Sequence, residues 1–250
     1  MLRILHGLQG LNLGGLSQFD GIELDLRMTR DAIVVLSHDR RQTDGNGRAL
    51  WIDRFTYADI ERITGRKLIR FDEALKKIIE NRKPFDSRML AQGKPFILEL
   101  DIKQLHMEDV VYQTLQKLKA FSFSTEIIIS SPRVGVLNAY SEKSKKFSLG
   151  LTDAPLDKWD LWDLKFYRYL VLFLQYTLKP IVFRLVRRKT NKKEIQIANI
   201  FHQLIDRRLI EFLHEQHIRV FAYGARTEKQ LNRLISSGID GVKIKYERHR

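Results

Sequence analysis

Four carboxylates, two histidines and a lysine in this 250-residue chain stand at spacings that could do acid–base or metal chemistry. Glu23 and Asp25 fall in Gly21-Ile-Glu-Leu-Asp25, and on an extended strand alternate side chains share a face. Two acids on one strand face are costly unless something positive lies between them, and a hard divalent cation is the natural candidate. The run Phe96–Lys103 repeats the pattern: Glu99, Asp101 and Lys103 share a face with Ile97, while Leu98, Leu100 and Ile102 take the other. His6 ends the apolar run Leu2–His6, and His38 ends Ile33–His38. Imidazole titrates near neutral pH, so each histidine could move a proton. Either histidine alone reads more simply as an ordinary core or surface residue, and Glu23 with Asp25 alone as the solvent face of a sheet edge. The second acidic strand weighs against that bland reading. Together the residues form the parts list for metal-assisted acid–base catalysis.

Such parts need a frame that brings distant strands side by side. Strand candidates are Leu2–His6, Gly21–Leu26, Ile33–Ser37, Phe96–Ile102, Glu126–Ser130, Ser148–Leu151, Ile181–Leu185, Arg219–Tyr223 and Gly241–Lys245. Helix candidates alternate with them at Thr56–Ile63, Phe71–Asn81, Met107–Phe121, Arg133–Lys143, Asp160–Leu178, Asp206–Gln216 and Glu228–Ser237. This βαβ rhythm predicts an α/β fold with a mainly parallel sheet or barrel, forming one domain over 1–250; in a barrel the charged strand faces would lie in the mouth. The break Thr29-Arg30-Asp31 is too short for a crossover helix, so Ile33–Ser37 folds back as a hairpin. A turn centred between Arg30 and Asp31 places Glu23 opposite His38. Thr227, with Gln230 three residues on, reads as a capping box, and Gly238 as a left-handed helix end.

Composition narrows the classes. The chain is 44% hydrophobic with 14 Gly and 5 Pro, as expected of a packed globular domain. It has no cysteine, which excludes disulfides, thiolate metal sites and a cysteine nucleophile. Met1–Leu13 does not read as a secretory signal, and the best uncharged window, Tyr169–Leu178, is far short of the ~18–20 residues of a membrane span. The net charge of +14 suits nucleic acid, an anionic membrane surface or a phosphorylated substrate.

The segment from Gly21-Ile-Glu-Leu-Asp25 to Ser37-His-Asp39 resembles the GIELDV…VVxHD signature of the glycerophosphodiester phosphodiesterase family. Thr43–Gly47, Phe55–Glu61, Phe71–Leu75, Glu99–Lys103, Ile129–Ser131 and Val220–Val242 are similar to further stretches of it. The resemblance implies an α/β fold of the TIM (β/α)8 barrel type and an enzyme that hydrolyses phosphodiesters. It makes His6 and His38 the catalytic histidines, with Glu23 and Asp25 as ligands of a divalent ion, Mg²⁺ or Ca²⁺. By its spacing from Lys103, Asp101 is the third ligand and Glu99 the fallback. Lys103 falls to the substrate phosphate, with Arg27 and Glu99 also on the substrate side. This chain departs from the family pattern at Gly7, where an arginine follows the first histidine, at Tyr223 and Arg226, and in a shorter interval from His6 to Glu23.

Leu161–Lys193 holds nine Lys or Arg against Asp163 alone, which is +8 of the total +14, together with seven aromatic side chains. Such a segment packs deep in the protein or lies in a membrane interface with its cations at the headgroups. The expected substrates are therefore small phosphodiesters or lysophospholipids. The expected location is the cytoplasm, with peripheral contact at the inner face of an anionic membrane. Nucleic acid is disfavoured because no groove-reading motif accompanies the charge. The reading from another class is a barrel without turnover that binds phospholipid headgroups.

Overall fold

The computed structural model describes residues 2–7, 19–81, 93–118, 125–152 and 195–244. The strands in chain order are β1 (Arg3–Gly7), β2 (Gly21–Met28), β3 (Val34–Leu36), β4 (Arg41–Thr43), β5 (Ala49–Trp51), β6 (Phe96–Ile102), β7 (Thr125–Ser131), β8 (Phe147–Thr152), β9 (Ile195–Phe201), β10 (Arg219–Tyr223) and β11 (Gly241–Ile244). The helices are α1 (Tyr57–Thr64), α2 (Phe71–Glu80), α3 (Glu108–Lys117), α4 (Val134–Lys143), α5 (Arg207–Glu215) and α6 (Glu228–Ser236). Eight strands, β1, β2 and β6 to β11, form a closed parallel barrel, because β1 pairs with both β2 and β11. The antiparallel β3 is added outside the barrel on β2.

Each barrel strand divides its side chains between two cores. Ile22, Leu24 and Leu26 of β2 and Leu98, Leu100 and Ile102 of β6 face outward. They join Phe71, Ala74, Leu75 and Ile78, the i, i+3, i+4, i+7 stripe of α2. A second outer cluster sets Ala198, Val220 and Val242 against Leu209, Ile210 and Leu213 of α5 and Leu234 of α6. Inside the barrel, Leu5, Ile97, Ile128, Ile197 and Phe221 make a fully buried apolar layer. Below that layer, Arg219 and Ser148 both bond the Glu126 carboxylate, closing the N-terminal end. The interior is a packed plug, so only its C-terminal end is left for polar chemistry.

Local signals in the sequence set several of these elements. Thr227 and Gln230 form the expected capping box of α6, and Gly238 has φ 88°. Asp206 caps α5 by accepting from Leu209 N. The β2–β3 turn differs from expectation. It centres on Asp31, with Ala32 at φ 59° and backbone bonds from Thr29 N to Ile33 O and from Ala32 N to Thr29 O. Leu26 pairs with Leu36, so the ladder projects His38 level with Leu24, one residue away from the expected Glu23. A left-handed alanine gives no turn signal in sequence, which is why the register was displaced. The strand β9 was not among the candidates. The candidate strand Ile181–Leu185, the candidate helix Asp160–Leu178 and the basic segment 161–193 lie outside the described residues. Among the described residues, no helix is long and apolar enough to cross a membrane.

The barrel closes tightly where β2 meets β6. A Cβ on Gly21 would lie 2.3 Å from the Ile97 carbonyl oxygen. Gly21→Ala is therefore expected to lower stability by about 1–3 kcal/mol in denaturant unfolding, through overpacking. Gly45→Ala, which meets nothing within 4 Å, is expected to be near neutral in the same measurement. Equal stabilities for the two variants would contradict this packing.

Candidate functional site

Parallel, in-register pairing of β2 with β6 builds the site. Glu23 sits beside Glu99, and Asp25 beside Asp101. Because side chains alternate, all four carboxylates share the inner face with Gly21 and Ile97, above the apolar layer. All four residues are buried, Glu99 completely. One carboxylate oxygen from each of Glu23, Asp25 and Asp101 lies within 4.8 Å of the others. The structure thus brings together the three residues expected to hold a metal.

Two lysines answer this negative charge. Lys103 Nζ lies 2.9 Å from Asp25 Oδ1 and 2.7 Å from Asp101 Oδ2. Burial alone would lower the ammonium pKa, but Asp101, Asp25 and Glu23 outweigh it and hold Lys103 well above the ordinary lysine value. Lys243, from β11, lies 2.6 Å from Glu99 Oε1 and 3.7 Å from Glu23 Oε1. Asn199 Nδ2 of β9 donates to the same Glu99 oxygen at 2.7 Å. Four carboxylates against two ammonium groups leave a deficit of positive charge in a buried place. The deficit falls on Glu23, whose pKa is pushed up to about 8 by burial and then by Asp25, against the opposing pull of Lys243.

The donor set fits a hard divalent ion. All three groups offer carboxylate oxygens, as suits Mg²⁺ and Ca²⁺, and Asp101 Oδ1 is buried with no hydrogen-bond partner among the described residues. The expected third ligand, Asp101, is in this grouping, and its alternative, Glu99, is not.

Neither histidine belongs to the carboxylate group itself. His6 is buried at the end of β1, stacked on Phe19 with ring centroids 4.8 Å apart. Its Nδ1 faces the Ile244 carbonyl at 3.5 Å, and burial lowers its pKa. His38 is more open and its Nδ1 pairs with Asp39 Oδ1 at 2.7 Å. Arg27, expected on the substrate side, donates from Nε and Nη2 to the His38 carbonyl at 3.1 and 2.9 Å, and so braces the His38 backbone. Lys103, also expected to meet substrate, stands between Asp25 and Asp101. Arg226 is exposed at the start of α6, where its backbone N–H donates to Gln230. Asn199 and Lys243 were not singled out in the sequence. Lys243 is the lone polar residue of β11, and that interruption was the available signal, whereas Asn199 shares its strand with Gln196.

Residues 17–244 match the sequence profile of the glycerophosphoryl diester phosphodiesterase family. A glycerophosphodiester phosphodiesterase of Caldanaerobacter subterraneus subsp. tengcongensis is 24% identical over 233 residues, which is 89% of this chain and 81% of the relative. The fold is similar to that of an Oleispira antarctica phosphodiesterase solved in complex with the product sn-glycerol-3-phosphate. That match has TM-score 0.68 and 13% identity, and covers 96% of this chain and 92% of the other. It is also similar to a Thermotoga maritima glycerophosphodiester phosphodiesterase, with TM-score 0.62, 17% identity and coverage of 97% and 94%.

The raised Glu23 pKa has a measurable sign. A carboxyl with an ordinary value of 4.5 and a folded value of about 8 stabilises the metal-free fold below pH 4.5, and that contribution is lost as pH rises through 8. An ion that needs the carboxylate must displace the proton. Calorimetric titration with Ca²⁺ in buffers of differing ionisation enthalpy is expected to show about one proton released per ion at pH 7 and about none at pH 9.5. Equal release at both values would contradict a protonated Glu23.

Proposed function

The chain belongs to the glycerophosphoryl diester phosphodiesterase family, whose members are phosphoric diester hydrolases, and from that premise we propose that it hydrolyses a glycerophosphodiester to glycerol phosphate and an alcohol. The observation that carries this reading is the convergence of Glu23, Asp25 and Asp101, with Lys103 between two of them, at the C-terminal end of the barrel strands. The product bound in the Oleispira antarctica relative, sn-glycerol-3-phosphate, supports glycerol phosphate as the product here.

The residues divide the work by their surroundings. Glu23, Asp25 and Asp101 would hold Mg²⁺ or Ca²⁺, which supplies positive charge toward a phosphodiester oxygen and the negative charge developing on it. Lys103 carries a fixed positive charge at the same place, suited to the substrate phosphate. Burial lowers the His6 pKa, which favours the neutral ring, and an Nδ1–H facing Ile244 O would put its acceptor lone pair on Nε2. His6 therefore takes the proton from the nucleophile, either water or a substrate hydroxyl. His38, with Asp39 on Nδ1 to stabilise the imidazolium, returns a proton to the leaving alkoxide as the phosphorus–oxygen bond breaks. Arg27 fixes the backbone from which His38 works. Lysophospholipid substrates and peripheral contact with an anionic membrane from the cytoplasm belong to the same proposal, and the basic segment 161–193 is what motivates them.

Release of glycerol phosphate from glycerophosphocholine, with lysophosphatidylcholine run in parallel, tests this. His6→Ala and His38→Ala are each expected to lower kcat/KM by roughly 10²–10⁴-fold. EDTA is expected to abolish turnover, and added Mg²⁺ or Ca²⁺ to restore it. Because burial lowers the His6 pKa, the acid limb of the kcat/KM profile is expected below pH 6.5. Full activity in either histidine variant would remove that residue from the mechanism, and turnover indifferent to EDTA would remove the metal.

A further inference from the structure

The barrel mouth holds a fourth carboxylate that does not join the other three. Glu99 is register-paired with Glu23 on the neighbouring strand and is completely buried. By position it has as good a claim to a cation as Asp101, one alternation further along β6. Its Oε1 is instead taken by Lys243 at 2.6 Å and by Asn199 at 2.7 Å. Its Oε2 is buried and has no hydrogen-bond partner among the described residues, so the Oε1 contacts are what hold the carboxylate among them. Lys243 is itself buried, and the next carboxylate, Glu23, stands farther off at 3.7 Å. At these distances, away from water, the attraction to Glu99 dominates.

We infer that Lys243 is a positioning residue that withholds Glu99 from the metal, and so fixes the site at three carboxylates. The inference rests on the proposal that Glu23, Asp25 and Asp101 bind a divalent ion. Charge gives the pairing its consequence. Glu99 and Lys243 cancel each other, leaving three carboxylates and Lys103, an excess of two negative charges that one divalent ion neutralises. Without the Lys243 ammonium, Glu99 becomes a fourth oxygen ligand and the excess becomes three, which favours a trivalent ion and a higher coordination number. Lys243 thus sets the charge class of the ion that the barrel accepts.

The test measures binding to the full chain, by calorimetry for Ca²⁺ and by sensitised luminescence for Tb³⁺. Lys243→Met is expected to bind Tb³⁺ at least ~10-fold more tightly than the unsubstituted protein, with a smaller gain for Ca²⁺. Glu99→Gln combined with Lys243→Met removes the freed carboxylate and is expected to return Tb³⁺ affinity to within about threefold of the starting value. Glu99→Gln alone leaves the ammonium to turn onto Glu23, and is expected to weaken Ca²⁺ binding at least ~3-fold. This near-isosteric variant decides the matter if Lys243→Met does not fold: unchanged Ca²⁺ affinity would then overturn the inference. It is also overturned if Lys243→Met binds Tb³⁺ no more tightly, or if the double variant keeps the gain. If the unsubstituted protein binds neither ion, the metal proposal itself falls, a result distinct from all of these.

Discussion

Everything at this site follows from placing four buried carboxylates on two adjacent strands. In-register parallel pairing of β2 and β6 sets Glu23 beside Glu99 and Asp25 beside Asp101, on a face that the apolar layer beneath keeps dry. Taking one charge out of water costs several kcal/mol unless an opposite charge meets it. The chain meets this demand from two sides of the barrel: Lys103 on β6's own extension is shared between Asp25 and Asp101, and Lys243 on β11 neutralises Glu99. Glu23 is left with the weakest compensation and keeps a proton into the neutral range. In this view the proton on Glu23 occupies the electrostatic role that a divalent ion would take over.

The barrel makes such a concentration of charge tolerable by separating its tasks. Stability resides in the outer clusters against the helices and in the inner layer of Leu5, Ile97, Ile128, Ile197 and Phe221. The mouth can then carry residues that stability alone disfavours, including buried oxygens of Asp101, Ser130 and Asn199 that lack hydrogen-bond partners among the described residues. The histidines stand apart from the carboxylates and are held by separate contacts, His6 by Phe19 and Ile244, His38 by Asp39 and Arg27. The two histidines and the four carboxylates are thus held by different contacts.

Much of this was legible in the sequence where local pattern decides structure. The alternation in Gly21–Asp25 and Phe96–Lys103 identified both acidic strands and the face each would show, and the three ligand candidates do converge. The Thr227 capping box and Gly238 marked α6 and its end. What local pattern could not give were properties of barrel closure. Lys243 and Glu99 are 144 residues apart, and only the pairing of β11 with β1 and of β1 with β2 brings them together. Asn199 was missed with its strand, because Gln196 and Asn199 interrupt Ile195–Phe201 three residues apart and break the period-2 alternation that marks a strand. The register of the β2–β3 hairpin depended on a left-handed alanine, which sequence does not announce.

The central claim is that Glu23, Asp25 and Asp101 form one three-carboxylate metal site while Glu99 is held aside. A crystal grown with Mn²⁺ and measured for anomalous scattering tests it most directly. The account predicts a single strong peak in the mouth, in contact with Glu23, Asp25 and Asp101, with Glu99 still on Lys243. A mouth without a peak at saturating Mn²⁺, or a peak bonded to Glu99, would contradict it.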